Sequence, residues 1–367
     1  MKVVHLIAAA RPNFMKVAPL YHALRGTDWC DPQIVHTGQH YDFNMSDAFF
    51  RDLGLPAPAF HLSVGSGSHA EQTGGVMIAY EKVCNSNRPD WIVVVGDVNS
   101  TAACAMVGTK LWIPVVHLEA GLRSGDRRMP EEINRLVTDS IVDVLWTPSA
   151  DANENLLREG IAAHKIDLIG NIMIDSFELL RDRIESSTSR QDLGLLDREY
   201  ALLTLHRPSN VDRPDSLRAI VTALKMIAAD LRLVFVSHPR TMKNLAAFKL
   251  SGELTQTGNV DLLSPLSYID FMNVVTGARL VITDSGGLQE ETTYLGIPCL
   301  TMRENTERPV TVTQGTNKLV GASELPEQVR KILDGKWRKG SCPPLWDGRT
   351  AGRAVRCLEK RALRQAE

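Results

Sequence analysis

The feature that most narrows the fold of this chain is an alternation, repeated in two series, of short β-rich apolar runs with longer stretches of helical period. In the first series residues 3–8 precede 16–24, residues 33–36 precede 46–53, and residues 91–96 precede 101–111. Residues 115–118 with 131–140, 144–147 with 151–159, and 166–169 with 175–184 complete it. Ser68-His-Ala-Glu71 is a capping box and starts a further helix, while Gly160 supplies a helix stop. Such alternation predicts parallel sheets wrapped by helices. Residues 185–197 begin without an apolar face, which places a linker there. The second series then runs through strands at 200–205, 232–237, 260–263, 280–283 and 299–301, with helices between them and at 325–334. After Pro343-Pro344 a basic amphipathic helix closes the chain. The expected architecture is α/β, with two Rossmann-like doubly wound domains at 1–185 and 186–350, and with helix 351–367 returning to the first.

The 367 residues, 44% hydrophobic and 23% charged, are enough for two cores. A formal net charge of −2 gives no global basic field, so no nucleic-acid partner is expected. Six cysteines without a Cys-x-x-Cys pair read as reduced thiols, which suggests a cytoplasmic protein. The first ten residues read as a buried strand rather than a signal peptide, because the apolar run is short and His5 interrupts it. No stretch approaches the ~20 apolar residues that span a bilayer, so no membrane partner is expected.

Unusual polar clusters fall just after predicted strands. In Leu280-Val-Ile-Thr-Asp-Ser-Gly-Gly-Leu-Gln-Glu-Glu-Thr292, a strand, a tight turn and a helix start are contiguous. Ser285, Gly286 and Gly287 can offer bare backbone amides to a phosphate, helped by the helix dipole. Glu290 and Glu291 follow one turn on, where a carboxylate can accept from ribose hydroxyls. An ordinary capped turn is the competing reading of that motif alone. The richest cluster is residues 117–135. There Glu119 leaves a buried strand beside Gly121, and Glu131 and Arg135 stand i,i+4 on a helix opened by Pro130. Asp97 ends the neighbouring strand. These carboxylates read as a proton-transfer set, against a structural Glu–Arg network as the alternative. Arg11, Lys16 and Arg308 each read singly as a solvated surface charge, and together with Ser285-Gly286 as cations able to neutralise a diphosphate. His36 and His40 have helical metal-ligand spacing, but Thr37-Gly38 between them reads as a turn, and no metal is expected. The first strand lacks a Gly-x-Gly-x-x-Gly, so no dinucleotide cofactor is expected.

An internal echo links the two halves. Residues 92–117 and 280–301 each read as strand, Asp at the strand end, polar turn, helix, Ile-Pro and next strand. Two such domains facing each other would bring both strand ends to one cleft.

Taken together, these stretches resemble the non-hydrolysing UDP-N-acetylglucosamine 2-epimerases, relatives of the two-domain GT-B glycosyltransferases. The likeness is carried by Arg11-Pro-x-x-x-Lys16, Thr37-Gly-Gln-His40, Gly96-Asp-Val-Asn-Ser-Thr101, His117-Leu-Glu-Ala-Gly-Leu-Arg123, Pro130-Glu-Glu-Ile-Asn-Arg135, His206-Arg207, residues 283–291 and Thr306-Glu-Arg-Pro309. The resemblance implies a GT-B-like fold and reversible C2 epimerisation of a UDP-sugar through a glycal, without cofactor or metal, by a homodimer serving polysaccharide synthesis. It implies Asp97, Glu119, Glu131 and His206 as catalytic residues, with Arg135 supporting Glu131. It assigns Arg11, Lys16, Ser285, Gly286, Glu291 and Arg308 to UDP, and Gly287 and His238 join the UDP-sugar set. Residues 186–350 become the UDP-binding domain. Two departures stand out: Asn13 where many members carry Glu, and Tyr41-Asp42 with a displaced Met45 after His40. A UDP-2,3-diacetamido-sugar epimerase, a GT-B glycosyltransferase and a UDP-sugar sensor are the competing readings.

Overall fold

The computed structural model describes residues 1–38 and 50–364. The helix expected at 46–53 lies partly outside them, as do His40, Tyr41, Asp42 and Met45. The described chain forms two compact units, Met1–Leu179 with Pro344–Glu367, and Leu180–Pro343. The change-over falls inside helix Ile172–Ser186, upstream of the polar stretch.

In the first unit the strands are β1 (Lys2–Ala8), β2 (Cys30–His36), β3 (Phe60–His61), β4 (Trp91–Val95), β5 (Val115–Leu118), β6 (Val144–Thr147) and β7 (Ile166–Leu168). They pair in parallel in the order β3-β2-β1-β4-β5-β6-β7. Every residue of β4, β5 and β6 is buried, as a sheet covered on both faces requires of its central strands. The capping box forms, with Ser68 Oγ accepting from the Glu71 amide and Glu71 Oε2 from the Ser68 amide. The terminal helix Thr350–Arg364 packs on helix Arg11–Arg25. Its first amides, at Thr350 and Ala351, donate to the Asp175 carboxylate at 3.1 and 2.7 Å. Arg361 reaches Asp167 of β7 at 2.8 Å, so both ends of that helix are tied to the first unit.

The second unit repeats the plan with β8 (Tyr200–Thr204), β9 (Arg232–Val236), β10 (Val260–Leu263), β11 (Leu280–Thr283), β12 (Cys299–Thr301) and β13 (Asn317–Leu319). Their parallel order is β10-β9-β8-β11-β12-β13. Helix Pro214–Ala228 lays Leu217, Ile220, Val221, Leu224 and Ile227 on this sheet at helical spacing, joined by Val329 and Ile332 of helix Leu325–Leu333. In each sheet the order reverses beside the first strand, between β1 and β4 and between β8 and β11. Ligands of doubly wound folds bind outside the strand ends at such a switch point.

The echo holds at the level of topology, since β4 with β5 and β11 with β12 occupy matching places. Its aspartates do not match. Ile92 pairs with Val115 and donates to the Pro114 carbonyl, as Val281 pairs with Cys299 and donates to Pro298. With those two residues aligned, Asp284 corresponds to Val95, and Asp97 lies two positions further along, beyond Gly96.

Candidate active site

In the first unit, β5 is followed directly by Glu119, a non-glycine residue with φ = +74° and only 5% exposed. Its Oε2 is bound by Lys16 Nζ from helix Arg11–Arg25, and its buried Oε1 has no hydrogen-bond partner among the described residues. A left-handed glutamate is strained, and surrounding structure must hold it there. Just beyond, a Cβ on Gly121 would lie 2.4 Å from the Ala152 carbonyl oxygen, so only glycine passes. Asn13 links the helix start to the end of β4: Nδ2 donates to the Val95 carbonyl at 3.0 Å and Oδ1 accepts from the Ala10 amide at 3.1 Å. A carboxylate could not donate to Val95, so asparagine suits this position.

Asp97 is one-third exposed and meets Arg135 with Nε at 3.1 Å and Nη2 at 3.0 Å. Arg135 is almost fully buried, and its other branch binds the buried Glu132, whose carboxylate also accepts from the Ser124 and Gly125 amides at 3.0 and 2.9 Å. The expected support of Glu131 by Arg135 is therefore corrected. Spacings i,i+3 and i,i+4 both face Arg135, and the inward-pointing residue is Glu132. Glu131 is half-buried and has no ion-pair partner among the described residues. Arg11 opens its helix, and its side chain lies outside the described part of the structure. Two residues of this region carried no assigned role in the sequence reading. His117 and Asp139 are buried with rings and carboxylate 2.5 Å apart, and burial, which alone would raise the Asp139 carboxyl, is outweighed by the His117 and Arg123 charges that hold it low.

In the second unit, His206 follows β8 and its Nδ1 lies 2.9 Å from Oδ1 of Asp284 at the end of β11, across the switch point. Asp284 is fully buried and accepts from the amides of His206 and Arg207 and from Asn210 Nδ2. Burial would raise its carboxyl, but the His206 contact, Asn210 and the Arg207 amide keep it below the ordinary range. His238 caps helix Pro239–Ala247 through its Nδ1, accepting from the Arg240 amide at 3.2 Å, with its ring 6.0 Å from that of His206. Burial first, then the neighbouring His206 and Arg240, lower its basicity.

Ser285 is the N-cap of helix Gly286–Leu295, so the Gly286 and Gly287 amides belong to its first turn, where no intrahelical acceptor exists. That is the expected anion-ready arrangement. A Cβ on Gly286 would lie 2.7 Å from Glu307 Oε1 and 2.8 Å from Arg308 Nη1, so any larger residue there would press on that ion pair. Arg308 is buried between two carboxylates, with Nη1 2.6 Å from Glu307 Oε1 and Nε 2.8 Å from Glu290 Oε2. Arg303 pairs with the other Glu307 oxygen at 2.9 Å. Glu291 is buried and accepts from the Tyr268 hydroxyl at 2.7 Å. Burial pushes its carboxyl up to about 7, only partly opposed by that hydrogen bond.

Two doubly wound units with charged residues gathered at their strand ends define an α/β protein of the GT-B-like fold. The UDP-N-acetylglucosamine 2-epimerase profile matches residues 22–359, and the chain belongs to that family. It is 42% identical over 364 residues to the UDP-N-acetylglucosamine 2-epimerase of Methanocaldococcus jannaschii, covering 96% of this chain and 98% of that one. A crystal structure of the M. jannaschii enzyme in complex with UDP-GlcNAc and UDP superposes with a TM-score of 0.87 at 42% identity, over 98% of this chain and all of that one. The UDP-2,3-diacetamido-2,3-dideoxy-D-glucuronate 2-epimerase of Pseudomonas aeruginosa is 40% identical over 339 residues, 91% of this chain and 92% of that one. Among the described residues no helix is long and apolar enough to cross a membrane.

Proposed function

We propose that this protein interconverts UDP-N-acetylglucosamine and UDP-N-acetylmannosamine by expelling UDP from C1 as the C2 proton is removed, then adding it back across the resulting glycal. The observation that carries this reading is the pair of carboxylates, Asp97 and Glu119, at the ends of adjacent strands β4 and β5, each held by its own cation. C2 of the sugar is not acidic, so proton removal needs a fixed base, and return of the proton to the opposite face needs a fixed acid. Asp97, Glu119 and Glu131 supply these groups, and His206, braced by Asp284, completes the catalytic set. Arg135 holds Asp97. The departing diphosphate meets the Gly286 and Gly287 amides beyond Ser285, with Arg11, Lys16 and Arg308 as cations. Glu291 accepts from the ribose hydroxyls, and His238 lines the UDP-sugar site. The M. jannaschii relationship at 42% identity supports the N-acetylglucosamine nucleotide as substrate. A cytoplasmic homodimer is the form this reading takes, its compartment supported by Cys30, Cys84, Cys104 and Cys299, which are buried as thiols.

Incubation with UDP-N-acetylglucosamine alone in D₂O tests the proposal. Deuterium at C2 of both recovered sugar nucleotides, in a reversible mixture, is the expected result. Absence of exchange, or stoichiometric accumulation of UDP and free N-acetylmannosamine, would contradict it. Exchange confined to a UDP-2,3-diacetamido sugar would move the substrate to the class named for the P. aeruginosa relative.

A further inference from the structure

Helix Pro130–Ile141 presents Glu132, Arg135 and Asp139 on one face, and the last of these reaches further than the Arg135 contact alone. Asp139 Oδ1 lies 2.5 Å from His117 Nδ1, and its Oδ2 accepts from the Gly121 amide at 3.0 Å and Arg123 Nη1 at 2.8 Å. The opposite ring nitrogen, His117 Nε2, donates to the Gly96 carbonyl at 2.8 Å. Gly96 immediately precedes Asp97, and Gly121 lies two residues past Glu119. A single buried carboxylate thus grips both turns that aim the two candidate catalytic carboxylates. Those turns run through left-handed backbone at Gly96, Glu119 and Gly121, with φ of +70°, +74° and +80°. The strained Glu119 conformation persists only where its surroundings over-determine it.

Stability alone is a poor reason for such a cluster. A buried group of ionisable side chains gains little over well-packed apolar residues of the same volume, whereas it fixes direction and distance. We propose that Asp139, acting through His117 and the Gly121 amide, is a positioning residue for the epimerisation that sets the aim and separation of Asp97 and Glu119. This rests on the catalytic reading of those two carboxylates.

Substitutions at position 117 divide the relay. The amide of His117→Gln reaches the place of Nε2 and keeps a donor for the Gly96 carbonyl, while that of His117→Asn reaches only the place of Nδ1. His117→Asn is expected to lower kcat ~10–100-fold, the scale of a misplaced catalytic group, with KM and the Kd for UDP within ~2-fold of wild type. His117→Gln keeps the Gly96 donor but loses the Asp139 contact, so it should recover kcat only in part, between His117→Asn and wild type. Thermal melting scores folding in parallel, and Asp139→Asn, of equal volume, carries the His117→Asn expectation should that variant not fold. A kcat close to wild type in both His117→Asn and Asp139→Asn overturns the proposal. So does a loss shared equally by His117→Gln and tracking a fall in Tm. Asp97→Asn and Glu119→Gln are assayed alongside: full turnover in those two removes the catalytic reading and the relay with it, whereas their inactivity beside an active His117→Asn removes the relay alone.

Discussion

The two units share a strand order and load the same topological place with different chemistry. In the first, the strand ends carry side-chain carboxylates paired with side-chain cations, Glu119 with Lys16 and Asp97 with Arg135. In the second, Asp284 at the end of β11 is fully buried and accepts from two backbone amides as well as from the Asn210 and His206 side chains, so it shapes the loop after β8. The second unit then offers an adjacent helix start of unpaired amides. The difference follows from register: the first unit inserts Gly96 and places its aspartate two positions beyond the residue that matches Asp284, where it emerges from the sheet. A switch point can therefore present protruding side-chain carboxylates or the backbone amides of a helix start, depending on where the strand ends.

Arg308→Ala should break the second unit most severely. It leaves Glu290 and Glu307 buried without their shared cation, and loss of one partner from such a network costs ~3–5 kcal/mol. Chemical denaturation should show that loss together with weaker UDP binding. Unchanged stability and unchanged UDP affinity would take Arg308 out of both networks.

A smaller and pH-dependent effect is expected at Glu291. Its carboxyl is raised by burial to about 7, so the folded protein holds a proton that the unfolded chain releases in the ordinary carboxylate range. Stability is then fullest at acid pH and falls as pH rises toward 7, by about 3 kcal/mol if the whole shift acts on folding. Glu291→Gln cannot ionise and should raise Tm at pH 8 relative to wild type, with little change at pH 4.5, while weakening uridine nucleotide binding. An identical Tm difference at both pH values would refute that assignment.

Much of the scaffold is readable from sequence because central parallel strands are continuous apolar runs; those at 115–118, 144–147, 280–283 and 299–301 coincide with β5, β6, β11 and β12. The two-residue β3 and the edge strand β13 carry too little periodicity to be seen. At the site, sequence exposed which residues sit at strand ends but not whom they hold. The Glu131–Arg135 spacing was a sound local inference, yet Asp97, from another strand, and Glu132 decide where the guanidinium points. Arg308 read as a surface charge until Glu290 and Glu307 enclosed it. His117 and Asp139 were overlooked because a buried histidine within an apolar strand resembles core until its two acceptors are seen.

If Asp97 and Glu119 of the first unit carry the proton transfer while the Gly286 and Gly287 amides of the second receive the departing UDP, Glu119→Gln should separate the two events. Deuterium uptake at C2 and UDP affinity are measured on the same preparation. Exchange should fall at least ~10²-fold, the usual scale for a lost general acid or base, with UDP affinity close to wild type. Exchange at the wild-type rate, or a loss of exchange that only mirrors a loss of UDP binding, would contradict it.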